Sequence, residues 1–433
     1  MMRKIVVFLV FLSVSNGWLC CQESDWDKLV DKFSVAYGEL GISPLRIAFA
    51  DNMDGIQDNE GLAQQALLFQ QLRSSLLATE RERLSFKQQL EYDLLWYQLA
   101  LNEERIKLEK EWWQEPSQVL FREGLAKLSN GQAWYAYFLK RWLDVSVTPE
   151  EMYAFGMQEV DKVLKAMKAI QIQSGMDSIA FHHHINSEQF FYTEQAEVQA
   201  AFEAFSAEML KVLPAFFPEM DKIPAVGIAL SFDERLAQVP GYYRDNTFFY
   251  NFFGNAFNKR EVRWFFLHEA IPGHHYEVSY SRMHTLSPVQ RLFNNPGYSE
   301  GWAAYVEEIG NEIGAYKDIY DELGKWEWDI IRSVRVPLDV GLNYYGWSDE
   351  EALSFWQKYI SGKDNIAERE IARMRRWPCQ VITYKYGADK IMGWKAELSK
   401  QVDFDLKQFH TALLQYGPLP FSLLEQRLFA AVE

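Results

Sequence analysis

His268-Glu269-Ala270-Ile271-Pro272-Gly273-His274-His275 follows the apolar run Trp264-Phe265-Phe266-Leu267, so a helix carrying a His-Glu pair leads into two further histidines. A neutral imidazole is a good Zn²⁺ ligand, and a carboxylate beside the first ligand can take a proton from water whose pKa the ion has lowered to about 7. The spacing departs from H-E-x-x-H, in which the histidines stand at i and i+4, about 6 Å apart along one helix face. Here i+4 is Pro272, and His274 and His275 stand at i+6 and i+7, about 9 and 10.5 Å along an unbroken helix. Pro272 removes a helical hydrogen bond and Gly273 tolerates unusual dihedrals, so the stretch predicts a bulge or kink here. His274 is the first choice for the second ligand and His275 the alternative.

Working outward, Asn258-Lys259-Arg260-Glu261 reads as a capping box with Asn258 as N-cap, starting the helix that ends in His268. A second helix is expected from about Asn295-Pro296-Gly297, carrying Glu300, Ala303, Ala304 and Glu307 along one side. A hydrolytic zinc site uses three protein ligands and leaves a position for water, which makes Glu300 the natural third ligand. Glu307, two turns on, is a candidate to hold a ligand histidine from behind. Ala303 and Ala304 suit close packing of the two helices. The run His182-His183-His184, His284 and His410 lack this acidic context and read as structural histidines.

The 433 residues, 48% hydrophobic with 15 Trp, 22 Tyr and 30 Phe, supply ample core and exclude a disordered chain. A formal net charge of −16 opposes attraction to phosphate backbones, so nucleic acid is excluded as a partner and an uncharged or cationic substrate is favoured. Arg3 and Lys4 followed by apolar Ile5 to Val14 have the form of an export signal, too short to span about 30 Å of hydrocarbon. The expected division is a signal peptide over 1–21, a helical region over 22–222 and a metal-site helical region over 223–433, the last two forming one cleft-bearing catalytic unit. The mature protein is then exported, periplasmic or at the outer surface, with lipid anchoring at Cys20 or Cys21 standing beside plain secretion. Three cysteines exclude a disulfide framework.

Trp26 to about Gly175 alternates long amphipathic stretches with short breaks, as in Glu80 to Lys110, where Leu84, Leu90, Leu94, Leu95 and Leu99 keep roughly helical spacing. The segment Ile223 to Gly254, punctuated by Pro224, Gly227 and Pro240, reads instead as a short-strand or irregular wall of a cleft.

The opening stretch, followed by Tyr298-Ser-Glu-Gly-Trp-Ala-Ala-Tyr305, resembles the signature of the bacterial lipoprotein family known as domain of unknown function 885, a relative of the zincin peptidases. Three later blocks are similar to that family in the same order: Arg335-Val-Pro-Leu-Asp339-Val-Gly341-Leu-Asn343 with Gly346-Trp347-Ser348; Glu370-Ile-Ala-Arg373 with Trp377-Pro378-Cys379-Gln380-Val-Ile-Thr-Tyr384-Lys385-Tyr-Gly387; and Gly417-Pro-Leu-Pro420. The resemblance covers about residues 240 to 430. It implies a mainly α, zincin-like fold similar to oligopeptidases and Taq-type carboxypeptidases, with a deep cleft and a small irregular or β element.

The same resemblance implies one Zn²⁺ ion on His268, His274 or His275, and Glu300, with Glu269 as general base. Tyr384 and Lys385 are its candidates for stabilising an oxyanion, and Arg373 and Gln380 for binding a peptide carboxylate or backbone. The implied activity is a zinc metallopeptidase on short peptides. Two alternatives stand beside it: an inactive zincin-fold peptide-binding protein, and a metal-dependent amidohydrolase on non-peptide amides. Two positions depart from the family pattern. Asn343 replaces a histidine, which alters any proton transfer made there, and Cys379 replaces a glycine, which narrows the freedom of that turn.

Overall fold

The computed structural model describes residues 24–114, 124–220, 223–236, 239–253, 256–284, 286–293 and 295–430. The signal segment, with Cys20 and Cys21, lies outside them. The architecture is mainly α, with a two-stranded and a three-stranded sheet as the β content of the described residues. No described helix is long and apolar enough to cross a membrane.

In the N-terminal half, helices Asp25–Glu39, Asn59–Ala78, Phe86–Trp112, Gly131–Trp142 and Pro149–Gln173 follow one another. The leucine pattern is that of a core-facing stripe: Leu90, Leu94, Leu95 and Leu99 are all buried. That helix starts later than the periodicity suggests, because Arg81–Arg83 forms a separate 3₁₀ turn and Ser85 with Gln88 makes a capping box at Phe86. Leu84 therefore lies before the helix.

One core runs through both halves, from Trp26 to Leu428. Its axis is the 22-residue helix Ile319–Val340, buried at nearly every position from Leu323 to Val340. It packs on Pro149–Gln173 from the N-terminal half and on Glu261–Glu269 from the C-terminal half. The helices Pro296–Glu308 and Thr383–Leu398 cross beside it at Gly301 and Gly387. A Cβ at Gly301 would stand 2.6 Å from the Gly387 Cα, so two glycines are what let these backbones touch. That crossing sets the helix of Glu300 and Glu307 against the helix of Tyr384.

Ile223 to Gly254 is a short-strand region as far as it is described. Gly227–Leu230 pairs parallel with Thr247–Tyr250, and Gly241–Arg244 pairs antiparallel with the same central strand. Asp245 and Asn246 take the two left-handed positions of the hairpin turn, which suits Asp and Asn. The capping box at Asn258 does not form. Asn258 pairs in a two-residue strand with Phe191, its side chain accepts from the Arg260 amide, and the helix begins at Glu261.

Candidate metal centre

The stretch His268–His275 is two helices rather than one bulged helix. Glu261–Glu269 ends at Ala270, a turn containing a cis Ile271–Pro272 bond follows, and His274–Met283 begins a new axis. The turn is clamped by the Trp302 indole, which donates to the Pro272 carbonyl at 2.9 Å. A Cβ at Gly273 would collide with the His268 carbonyl, so glycine alone fits there. The reversal removes the axial separation that keeps i and i+6 apart on a straight helix. His268 and His274 end with ring centroids 4.9 Å apart and nearly perpendicular.

Glu300, on Pro296–Glu308, completes the group: His268, His274 and Glu300 each offer a ligand atom, all within 4.8 Å of one another. Glu300 Oε2 lies 3.6 Å from His268 Nε2 and 3.4 Å from His274 Nε2. It is buried and has no hydrogen-bond partner, a costly state for a carboxylate oxygen that nothing else satisfies. Those separations fit a shared ion, because ligand atoms about 2.0–2.1 Å from a tetrahedral zinc stand about 3.4 Å from each other. The residues present therefore suit the metal that the sequence implies.

Both imidazoles present Nε2 because Nδ1 is engaged behind them. His268 Nδ1 lies 2.6 Å from Glu307 Oε1, and Glu307 is gripped by Arg332 Nη1 at 2.7 and 2.8 Å. Glu307 is fully buried and Arg332 nearly so. His274 Nδ1 is 3.4 Å from the Ser299 hydroxyl, which donates to Glu277 Oε2 at 3.0 Å. A carboxylate behind a ligand histidine fixes its orientation and raises its basicity. The role foreseen for Glu307 is thus geometrically available, and Arg332, Ser299 and Glu277 join it. Glu277 was legible as the residue one turn after His274, whereas no spacing singled out Arg332.

The electrostatics agree with a cation site. Burial disfavours the His268 imidazolium, yet the flanking Glu300 and Glu307 carboxylates carry its pKa up to about 9. Burial likewise opposes ionisation of Glu300, but the two imidazoles hold it well below the usual carboxylate range. A metal ion competes with the proton for this group. Burial raises the pKa of Glu269, against the pull of His268 and His274, which makes its carboxylate a better base.

The remaining expected residues divide. His275 faces away: its Nε2 lies 2.8 Å from the Pro224 carbonyl and its Nδ1 3.1 Å from the Tyr243 hydroxyl. It ties the hairpin wall to the second helix and leaves His274 as the histidine of the cluster. The Tyr384 ring lies against His268, 25° from parallel with centroids 6.0 Å apart, and burial raises its phenol pKa so that it stays a donor. Arg373 Nη2 donates to Gln380 Oε1 at 2.7 Å, and Gln380 Nε2 to the Tyr384 hydroxyl at 3.3 Å. Arg373 thus reaches Tyr384 through Gln380 and also stands directly beside it.

Lys385 is a correction. One residue along the same helix it points elsewhere, and its buried ammonium lies 2.8 Å from Asp329 Oδ2 and 2.7 Å from Glu159 Oε2, with Glu308 further off. All its donors face that carboxylate cluster, which leaves none for an oxyanion.

The two departures are also placed. Asn343 sits in a π-helical turn, Gly341–Tyr345, where its amide donates to the Asp339 and Met374 carbonyls. Cys379 adopts a left-handed φ of 69°, the conformation that favours glycine, and is buried. Its amide donates to Asp339 Oδ1 at 2.9 Å, beside the Tyr135 hydroxyl at 2.7 Å.

A cleft of about 690 Å³ reaches the cluster, lined by Trp142, His274, Ser299, Glu300 and Gln380 among others. The whole is a mainly helical protein with a His-His-Glu group at a cleft, His268 buried and His274 and Glu300 half-buried. The chain belongs to the family described as "Bacterial protein of unknown function (DUF885)", whose model matches residues 122–428. Among solved structures it is similar to "the putative lipoprotein from Colwellia psychrerythraea", with a TM-score of 0.65 and 21% identity, covering 94% of this chain and 74% of that one. It is also similar to "a putative lipoprotein of unknown function from Shewanella oneidensis", with a TM-score of 0.57 and 19% identity, covering 94% and 77%. No curated protein matches it.

Proposed function

We propose that this protein is a zinc-dependent hydrolase of zincin-like character, a peptidase acting on short peptides. The observation that carries the reading is the buried Glu300 oxygen, unpartnered and 3.4 to 3.6 Å from two imidazole nitrogens. One Zn²⁺ held by His268, His274 and Glu300 would supply a Lewis acid and an acidified water. Glu269 would hold the proton that an attacking water gives up and return it to the leaving amine. Tyr384, oriented by Gln380 and Arg373, donates to the oxygen on which charge develops. The cleft volume lies within the about 300–1,000 Å³ of small-ligand sites, which suits a short substrate. An exported protein, lipid-anchored at Cys20 or Cys21, is the accompanying reading of location, in keeping with relatives described as lipoproteins.

Elemental analysis of purified wild type, His268→Ala and Glu300→Ala tests the ligands: near-stoichiometric zinc in wild type and its loss from both variants are expected, and full retention by both sinks the assignment. Wild type and Glu269→Gln on a broad library of peptides and non-peptide amides test the reaction. Cleavage by wild type alone is expected. Equal behaviour on every compound favours a binding protein, and turnover confined to non-peptide amides favours the amidohydrolase.

A further inference from the structure

The cleft that reaches His274 and Glu300 is also lined by Arg282, in His274–Met283, and Arg291, in the short helix Pro288–Leu292. Both are exposed, and among the described residues each guanidinium hydrogen-bonds to a neutral oxygen: Arg282 Nη1 donates to Asn246 Oδ1 at 3.1 Å, and Arg291 Nη1 to the Leu286 carbonyl at 2.5 Å. Among the described residues neither forms an ion pair, in a chain with 60 acidic residues against 44 Lys and Arg. The other ionisable groups of the cleft are accounted for. Glu277 accepts from Ser299, Glu300 belongs to the metal cluster, and His284 is bonded to the Tyr280 carbonyl. Two guanidiniums therefore offer spare donors to whatever occupies the cleft.

We infer that the occupant carries a carboxylate that Arg282 and Arg291 hold while the adjoining chain reaches the cluster at His274 and Glu300. A guanidinium fork matches a carboxylate, and such charge-assisted bonds are stronger than neutral ones. The inference names the substrate class of the proposed hydrolase and rests on that reading only for what happens after binding. It also revises the expectation from net charge. The overall field of −16 acts at long range and is screened beyond about 10 Å at 0.1 M salt, whereas the arginines act at contact. The carboxylate is either a peptide C-terminus or an acidic side chain.

Binding of three tetrapeptides to Glu269→Gln protein, with and without added zinc, by calorimetry, tests this: tetra-alanine as free acid, tetra-alanine amide, and an amide with one internal Asp. The free acid is expected to bind about tenfold or more tighter than its amide, and the Arg282→Gln/Arg291→Gln double variant to lose that preference with an unchanged Tm. Restored binding by the Asp amide assigns the carboxylate to a side chain, and failure of restoration assigns it to the C-terminus. Equal binding of all three peptides, or binding of none, overturns the inference, as does a preference for a carboxylate-bearing peptide that survives in the double variant. A preference for the acid without any cleavage by wild type keeps the inference and sinks the hydrolase alone.

Discussion

Replacing Glu307 with Gln separates the two jobs of one buried carboxylate. Glu307 is fully buried, its Oε1 is 2.6 Å from His268 Nδ1, and its two oxygens are 2.7 and 2.8 Å from Arg332 Nη1. Gln keeps the shape and one acceptor but removes the charge. For the metal site, losing the anion behind His268 weakens Nε2 as a donor, and such changes cost about 10–100-fold in metal affinity. For the fold, Arg332 keeps its charge in the interior without its main counter-ion. Asp329 is its other anionic neighbour, but Asp329 Oδ2 already accepts from Lys325 and Lys385. Breaking a buried pair costs about 3–5 kcal/mol, and the acceptor that Gln retains places the cost near about 3 kcal/mol.

The assay is zinc affinity by competition with a chromogenic chelator, alongside urea unfolding in excess chelator, so that ligand mass action does not enter the stability. Wild-type zinc affinity within about twofold in Glu307→Gln would refute the idea that Glu307 tunes His268. An unchanged urea midpoint in chelator would refute the charge argument for Arg332.

Three further outcomes are expected. Gly301→Ala, which forces a Cβ to within 2.6 Å of Gly387, should lower stability by about 1–3 kcal/mol in urea unfolding and lower zinc content through displacement of Glu300. Lys385→Ala takes one cation from Asp329, Glu159 and Glu308, which keep Lys325 or Lys162, and should cost about 1–3 kcal/mol, while the zinc content of the folded fraction is expected to match wild type; selective loss of peptide cleavage at full stability would return Lys385 to the chemistry. Burial raises the Asp339 pKa from 3.8 to about 7, so the folded protein holds this proton more tightly than the unfolded chain. Wild-type stability contributed here is present below about pH 4 and lost as pH rises towards about 7, so Asp339→Asn should gain on wild type across that window in urea midpoints, and a pH-independent difference would contradict it.

Local rules carried the sequence reading where an element is self-contained. The leucine stripe at Leu90, Leu94, Leu95 and Leu99 marks a core helix because 3.6-residue periodicity needs no partner to be visible. The Pro296–Glu308 helix was equally legible from its Asn-Pro-Gly start. Asn258 misled because its pairing with Phe191, 67 residues earlier, outcompeted a local cap.

The residue types of the site, His268, Glu269, His274 and Glu300, stand in the sequence, since imidazoles and carboxylates are groups that can bind a cation and move a proton. Tertiary structure decided the rest. It reversed the chain at Pro272-Gly273 so that His274 rather than His275 faces Glu300, and it set Arg332 and Glu307 behind His268. It also turned Tyr384 towards His268 and Lys385 away, because adjacent residues on a helix point about 100° apart and the Gly301–Gly387 crossing fixes which one meets the cluster.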